Sequence, residues 1–183
     1  MNEKEKMING QMYDPSDETL FNDRIKAKNL CYQYNLLKAD EFNRKKELLA
    51  GLLGKVGDNF TIEPNFFCDS GYNIELGENF YSNHNLVILD CAKVTFGDNV
   101  FIGPNCGFYT AEHPLSAKER NELLEYAKPI TIGSNVWIGG GVTVIAGVAI
   151  GDNVVIGAGS VVVKNIPSNS VAVGNPCKVI KNI

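Results

Sequence analysis

The 183-residue sequence has no apolar run long enough to cross a bilayer, so it contains no candidate transmembrane helix. Its first ten residues, MNEKEKMING, are charged and lack the apolar core of a secretion signal. The five cysteines form no CxxC pair, and an odd number without a secretion signal is typical of reduced thiols. These absences predict a cytoplasmic protein that does not associate with membranes.

Histidine is scarce as well. Two histidines cannot supply a three-histidine zinc site, and the GxSxG motif of a serine nucleophile is absent. The net charge of −4 argues against general nucleic-acid binding. The charge is uneven, since the stretch from Tyr126 to the C-terminus carries +3 and the rest of the chain −7. A basic end on an acidic protein suits an anionic cofactor, and a few solvated lysines there by chance explain it equally well.

Residues 1–55 have a helical pattern. The apolar residues Leu20, Ile25, Leu30, Tyr34 and Leu37 recur at helical spacing. Asp17, followed by an acidic and then an apolar residue, is typical of a helix start. A second helix is predicted over Asp40–Leu53, ending at Gly54. We therefore expect a small N-terminal helical cap over residues 1–55.

From Val56 onward the dominant feature is a period of six residues. An apolar residue, most often β-branched, occupies every sixth position, and the position four later is small or aliphatic as well. A series made entirely of β-branched aliphatics is Ile132, Ile138, Val144, Ile150, Ile156 and Val162. Such repeats are the signature of a solenoid, in which short strands each end in a turn. Residues 56–183 are thus predicted to form one all-β solenoid.

Glycine, asparagine and aspartate recur between the apolar positions. "GDN" occurs at 57–59, 97–99 and 151–153, and these residue types suit turns because they tolerate positive φ or bond to nearby backbone. A conventional β-sandwich would show turns every 8–12 residues, which does not match the sixfold period. The glycines are therefore predicted to lie at the corners of the solenoid.

The run Ile132–Val162 resembles the hexapeptide-repeat acyltransferases, whose fold is a left-handed parallel β-helix. The N-terminal "KEKMINGQMYDPSDETLFNDRIKAKNLCYQYN" together with "FFCDSGYNIELGENFYSNHN", "AEHPL" and "VAVGNPCKVIK" resembles the maltose and galactoside O-acetyltransferases. This resemblance implies a homotrimer with active sites between subunits. It also implies acetyl-CoA as the donor, a sugar such as maltose, glucose or a galactoside as the acceptor, and no metal.

The only long break in the repeat is a polar insertion at about residues 109–129, which contains His113. Function concentrates in insertions on rigid scaffolds, and a histidine can take the proton of an acceptor hydroxyl near neutral pH. The resemblance of "AEHPL" to the family's catalytic loop implies the same role for His113. His84, by contrast, falls at an inward position, and we expect it to be packed or hydrogen-bonded to backbone.

Further site residues follow from the resemblance. Asn83 corresponds to a residue that contacts the thioester, and Tyr81 and Asp69 to residues at the acceptor. Asp17 corresponds to a sugar ligand, although a helix N-terminal acid is an alternative interpretation. Glu125 is a candidate either to orient the histidine or to bind the acceptor.

The resemblance also assigns residues to the cofactor. Lysines that would hold the CoA phosphates and residues that would line the pantetheine arm are distributed over the C-terminal half. They are Trp137, Gly140, Ala158, Val163, Lys164, Lys178 and Lys181. Trp137 is equally well explained as an exposed aromatic at a subunit contact.

Two departures from the family pattern affect the acceptor side. Ser70 stands where the family has an aromatic residue, and Cys91 where some relatives have a second aspartate. We expect Cys91 to be part of the wall and not a nucleophile. Acetylation of an antibiotic or of serine on the same fold remains an alternative, and so does a non-catalytic trimeric scaffold.

Overall fold

The computed structural model describes every residue from Met1 to Ile183. Three helices precede a β-solenoid, and a fourth lies in the insertion. The helices are α1 (Glu3–Ile8), α2 (Glu18–Asn35), α3 (Phe42–Leu52) and α4 (Ala117–Asn121). No helix combines the length and the apolar character needed to span a membrane.

The solenoid is a left-handed parallel β-helix whose successive coils stack into three sheets, which we call faces 1, 2 and 3. Face 1 contains β1 (Phe60–Ile62), β4 (Phe80–Ser82), β7 (Val100–Ile102), β12 (Val136–Ile138), β15 (Val154–Ile156), β17 (Ser170–Val173) and β18 (Lys178–Asn182). Face 2 contains β2 (Phe66–Cys68), β5 (Leu86–Leu89), β8 (Gly107–Tyr109), β13 (Thr143–Ile145) and β16 (Val161–Val162). Face 3 contains β3 (Ile74–Leu76), β6 (Val94–Phe96), β11 (Ile130–Ile132) and β14 (Ala149–Ile150). All neighbours pair in parallel except β17 and β18.

The turns between faces form three edges of the prism. The first edge joins face 1 to face 2, the second joins face 2 to face 3, and the third joins face 3 back to face 1. The insertion leaves the second edge between β8 and β11 and contains a short antiparallel ribbon of β9 (Ala111–Glu112) and β10 (Tyr126–Ala127).

The predicted sixfold burial pattern is confirmed. Every inward position of the Ile132–Val162 series is at most 2% exposed, and the positions four later are buried too. Val56, predicted inward at the start of the repeat, is only half-buried because it lies where the first coil begins. Inward and outward residues alternate along the short strands. The inward apolar side chains form one continuous core along the solenoid.

The turn residues also behave as predicted. Asn79, Asn99, Asn153 and Asn169 have φ values of 54–59° and lie on the third edge. Their side-chain amides bond between coils, for example Asn79 Nδ2 to Asn99 Oδ1 at 2.9 Å and Asn153 Nδ2 to Asn169 Oδ1 at 2.9 Å. Asparagine tolerates the left-handed region at little cost, so it can occupy these turns. The row of hydrogen bonds between asparagine side chains then holds successive turns together.

The helical cap closes the N-terminal end of the prism. Helix α2 begins directly after Asp17, as predicted, and α3 begins two residues later than predicted. The buried stripe of α2 is Leu20, Ala27, Cys31 and Tyr34, and the Tyr34 hydroxyl donates to the Ile62 carbonyl. Ile25, predicted on the buried face, is 42% exposed, because at helical spacing it lies on the opposite side of α2 from Leu20 and Ala27.

Helix α1 was not predicted from the sequence, although a signal for it exists. Asn2 accepts a hydrogen bond from the Glu5 N–H, and the Glu5 carboxylate accepts one from the Asn2 N–H. This capping box is visible in the sequence as Asn followed three residues later by Glu. This signal was overlooked because the surrounding N-terminal stretch is dominated by charged residues.

Candidate active site

His113 lies directly after strand β9, at the point where the insertion leaves the solenoid. Its side chain is 54% exposed, so a molecule in solution can reach it. The ribbon of β9 and β10 holds this position, with Glu112 opposite Tyr126 in the register. Lys128 forms an ion pair with Glu112 at 2.7 Å, which stabilises the end of the ribbon next to the solenoid. The structure therefore presents the imidazole on a short, supported segment of the long insertion.

Glu125 faces His113 across the insertion. Its Oε1 lies 3.8 Å from His113 Nε2, which is too far for a direct hydrogen bond but places the carboxylate beside the imidazole. Its Oε2 accepts a hydrogen bond from the Tyr13 hydroxyl at 2.7 Å. The backbones of Tyr13 and Glu125 also pair, with N···O distances of 2.9 and 3.1 Å. The N-terminal segment thus holds the carboxylate that adjoins the imidazole.

The polar contacts continue from Tyr13 toward Asp69. The Cys91 thiol contacts the Tyr13 hydroxyl and donates to Asp69 Oδ2 at 3.5 Å. Burial raises the pKa of Cys91 to about 12, and the neighbouring Asp69 charge adds to this, so the thiol stays protonated and acts as a donor. Burial also raises the pKa of Asp69. We call His113, Glu125, Tyr13, Cys91 and Asp69 the second-edge cluster.

The Asp90 carboxylate stabilises the turn that contains Asp69. Its Oδ1 accepts hydrogen bonds from the N–H groups of Asp69 (3.0 Å) and Ser70 (2.8 Å), and its Oδ2 from that of Asn73 (3.3 Å). Gly71, within this turn, has φ +79°, and a Cβ there would lie 2.5 Å from Leu52 Cδ1. The fully buried Asp90 carboxylate and the glycine together fix the turn against α3.

The buried Asp90 carboxyl makes the stability of the fold depend on pH. Burial raises its pKa to about 6, above the ~3.9 of an unfolded aspartate, so the folded state binds a proton that the unfolded state has released. This stabilisation is complete below the unfolded pKa and is lost as pH rises through about 6. We expect the free energy of unfolding to fall by roughly 2 kcal/mol between pH 4 and pH 7, relative to Asp90→Asn. Urea titrations of both proteins across that range test this, and a difference that does not vary with pH contradicts it.

Asp17 is the N-cap of helix α2. Its Oδ1 accepts hydrogen bonds from the N–H groups of Thr19 (3.0 Å) and Leu20 (3.2 Å), so the alternative interpretation as a helix N-cap is confirmed. The carboxylate is partly exposed, and its second oxygen makes no hydrogen bond within the chain. A cap and a ligand are therefore compatible at this residue.

A cleft of about 660 Å³ lies between α2 and the outward side of β2, next to Asp69. Both apolar and polar side chains line it, with aromatic residues on each wall. The lining includes Lys28, Tyr32, Asn35, Phe67 and Leu89 in addition to Asp69. The cleft has room for a small molecule beside the second-edge cluster.

Asn83 lies on the first edge, away from His113. Its Oδ1 accepts a hydrogen bond from the His84 N–H at 2.7 Å, which turns the amide so that Nδ2 has no partner within the chain. His84 is exposed and its Nδ1 bonds to the Pro64 carbonyl. The prediction that His84 is hydrogen-bonded to backbone is confirmed, whereas its predicted inward position is wrong, because the edge turn carries it out of the core.

Small residues stack beside Asn83 on the first edge. Gly140 and Ala158 occupy equivalent turns of successive coils, and the Gly140 carbonyl accepts a hydrogen bond from the Gly159 N–H at 2.9 Å. A Cβ on Gly140 would meet Pro104 Cδ at 3.2 Å, and one on Gly159 would meet open space. We call the column of His84, Pro104, Gly140 and Ala158 the first-edge groove.

An aromatic row runs across face 1 next to the first-edge groove. Tyr81 pairs in register with Phe101, and Phe101 with Trp137. Phe101 and Trp137 are 50% and 59% exposed, and Tyr81 is half-buried. The row places two of the predicted ligand-binding residues, Tyr81 and Trp137, on one surface.

The remaining residues assigned to the cofactor do not share this edge. Val163 and Lys164 follow β16 and lie on the second edge, whereas Lys178 and Lys181 lie on β18, opposite Val173 and Val171. All four are exposed, and the three lysines form no ion pair within the chain. Within one chain, the residues assigned to the pantetheine arm are therefore divided between two edges.

The first-edge groove and the second-edge cluster are separated by the width of face 2. Gly103, which follows Asn83 by one coil, is seven residues from Thr110, where the insertion begins. At ~3.3 Å per residue this separation is roughly 20 Å. One chain therefore does not bring Asn83 and His113 to the same reacting group.

Tyr13 is the site residue that sequence reasoning missed. It lies 112 residues from Glu125 in the sequence, and no spacing rule links them. It is 1% exposed and packs in a small cluster with Met7, Leu20, Cys91, Ala92 and Ala127. A tyrosine just before the predicted helix start at Asp17 was the only signal.

Comparison with known proteins identifies the family. Residues 6–57 match the maltose acetyltransferase hexapeptide capping motif, and residues 129–164 match the bacterial transferase hexapeptide repeat. The chain is 55% identical to "Putative acetyltransferase YJL218W" of Saccharomyces cerevisiae, covering 98% of this chain and 92% of the relative.

Two solved structures give the same result. A maltose O-acetyltransferase from Clostridium difficile 630 superposes with a TM-score of 0.99 at 51% identity, covering 100% of this chain and 98% of that one. A galactoside acetyltransferase in complex with coenzyme A has a TM-score of 0.96 at 43% identity, with coverages of 100% and 92%. This chain therefore belongs to the maltose and galactoside O-acetyltransferase family of hexapeptide-repeat proteins and is an acetyltransferase.

Proposed function

We propose that the protein transfers an acetyl group from acetyl-CoA to a hydroxyl of a sugar such as maltose, glucose or a galactoside, with His113 as general base. The observation that carries the proposal is the second-edge cluster, where an exposed imidazole adjoins the Glu125 carboxylate. Contacts through Tyr13 and Cys91 connect Glu125 to Asp69, which lies at the edge of a cleft. Carboxylates accept hydrogen bonds from sugar hydroxyls, and the imidazole accepts the proton of the hydroxyl that reacts.

We further propose that the active site forms between two copies of the chain in a homotrimer. The roughly 20 Å between the first-edge groove and the second-edge cluster is too large for one acetyl group to contact both, given ~3.3 Å per residue across face 2. If a neighbouring subunit places its first edge against this chain's second edge, one acetyl group can contact residues of both edges. The same arrangement unites Val163 and Lys164 with Gly140 and Ala158 along one ligand.

The donor fits the first-edge groove. Acetyl-CoA supplies an acetyl group activated as a thioester, and an extended pantetheine arm needs the small residues Gly140 and Ala158. The unpaired lysines Lys164, Lys178 and Lys181 are free to contact the phosphates, while Lys128 is occupied by Glu112. Trp137 adds an exposed aromatic surface beside the groove.

Residues of both edges then take part in the reaction. His113 takes the proton of the acceptor hydroxyl as its oxygen attacks the thioester carbonyl, and it returns that proton to the departing CoA sulfur. The free Nδ2 of Asn83 donates to the carbonyl oxygen as negative charge develops there. Glu125, 3.8 Å from the imidazole, stabilises its transient positive charge. Asp69, Asp17 and Tyr81 hold the acceptor.

An acceptor screen tests the activity. The protein is mixed with acetyl-CoA, a thiol reagent and one acceptor at a time from maltose, glucose, galactosides, serine and chloramphenicol. All five cysteines of the chain are buried, so its own thiols add little background. We expect thiol release above the no-acceptor blank with at least one sugar. Release with serine or chloramphenicol alone assigns the antibiotic or serine alternative, and no release with any acceptor contradicts the proposal.

A further inference from the structure

Tyr13 joins the helical cap to the catalytic insertion. Its hydroxyl donates to Glu125 Oε2 at 2.7 Å, and two backbone hydrogen bonds keep the two residues in register. Tyr13 is 1% exposed, and the Glu125 side chain is 20% exposed. The contact is therefore largely shielded from water, which strengthens a charge-assisted hydrogen bond.

The direction of this hydrogen bond is determined by the surroundings. Burial raises the pKa of Tyr13 well above its ordinary value, so the hydroxyl keeps its proton and acts as the donor. With Oε2 held by Tyr13, the other carboxylate oxygen, Oε1, is left facing His113. The other polar groups near the pair are Cys91 and Asp69 on the solenoid side and the Glu112–Lys128 ion pair on the ribbon. Arg24 and Lys28 of α2 face Asp69.

We propose that Tyr13 is a positioning residue for acetyl transfer, holding the Glu125 carboxylate beside His113. This rests on the proposed function of His113 as the base. Without the hydroxyl, a half-buried Glu125 oxygen loses its only side-chain donor, and the carboxylate gains hydration by rotating toward solvent and away from the imidazole. Tyr13 acts through Glu125 and touches neither the donor nor the reacting hydroxyl.

Tyr13→Phe tests the proposal because it keeps the buried ring and removes only the donor. We expect kcat to fall roughly tenfold, the size expected for losing one hydrogen bond to a charged group, while KM for acetyl-CoA is unchanged. In a Glu125→Gln background the same substitution should change kcat less than about twofold, because the charged carboxylate that Tyr13 positions beside the imidazole is gone. Equal effects in both backgrounds would overturn the proposal.

Tyr72→Phe is the matched control. Tyr72 also lies where the cap meets the solenoid, it is half-buried, and its hydroxyl has no hydrogen-bond partner. The same chemical change there should leave kcat and KM within about twofold of wild type. A tenfold loss in Tyr72→Phe would show that the cap junction tolerates no such change, and the effect of Tyr13→Phe would then not be specific to Glu125.

A second measurement needs no turnover. The chain has two histidines, so the imidazole region of its NMR spectrum contains only the His113 and His84 signals. We expect Tyr13→Phe and Glu125→Gln to move the His113 signals at neutral pH and leave those of His84 in place. Unchanged His113 signals in a folded Tyr13→Phe protein would overturn the proposal even if sugars are acetylated. Moved signals without sugar acetylation would instead contradict only the proposed function.

Discussion

Replacing His113 with alanine is expected to lower kcat by about 10²- to 10⁴-fold, the range for loss of a general base. The imidazole is half-exposed and packs in no core cluster, so the fold should be unaffected. Binding of CoA, measured by calorimetry, should persist because the first-edge groove contains none of the insertion. Steady-state kinetics at saturating acetyl-CoA provide the measurement.

The matched control for this variant is Glu119→Ala. Glu119 lies in α4 of the same insertion, is exposed and makes no side-chain contact with the cluster. Its removal should leave kcat within about twofold of wild type. A His113→Ala protein that retains full activity would show that another group takes the hydroxyl proton.

Asn83→Asp is expected to lower kcat by about 10²- to 10³-fold, the cost of removing one donor to a developing oxyanion. The aspartate keeps an oxygen for the His84 N–H, so the local turn is preserved. What changes is the outward NH₂ group, which becomes a second carboxylate oxygen that repels negative charge. Asn83→Ala removes the donor without adding charge and should lose less activity. If Asn83→Asp has wild-type kcat, Asn83 has no role at the thioester.

Much of the fold could be predicted because burial in this solenoid follows a local rule. Each coil repeats the same short strand and turn, so a side chain's position in the hexad decides whether it points inward. That is why the series from Ile132 to Val162 was predicted residue by residue. His84 broke the rule, since its position in the hexad falls on an edge turn and not inside a strand.

The candidate site was only partly predictable, for the opposite reason. His113, Glu125 and Asp69 could be selected from the sequence because an insertion and a family motif mark them. Tyr13 could not, because its partner Glu125 lies 112 residues away and only the docking of the cap brings them together. The division of Gly140 and Val163 between two edges likewise follows from the stacking of coils, which sequence spacing does not reveal.

The most direct test of the account is whether two inactive chains restore each other. His113→Ala and Asn83→Asp chains carrying different tags are co-expressed, and mixed oligomers are isolated by sequential affinity steps. In a trimer with sites shared between subunits, each mixed oligomer contains one intact site of three, so about a third of wild-type activity is predicted. Activity no higher than that of the two parent variants would show that His113 and Asn83 of different subunits do not share a site, and would contradict the account.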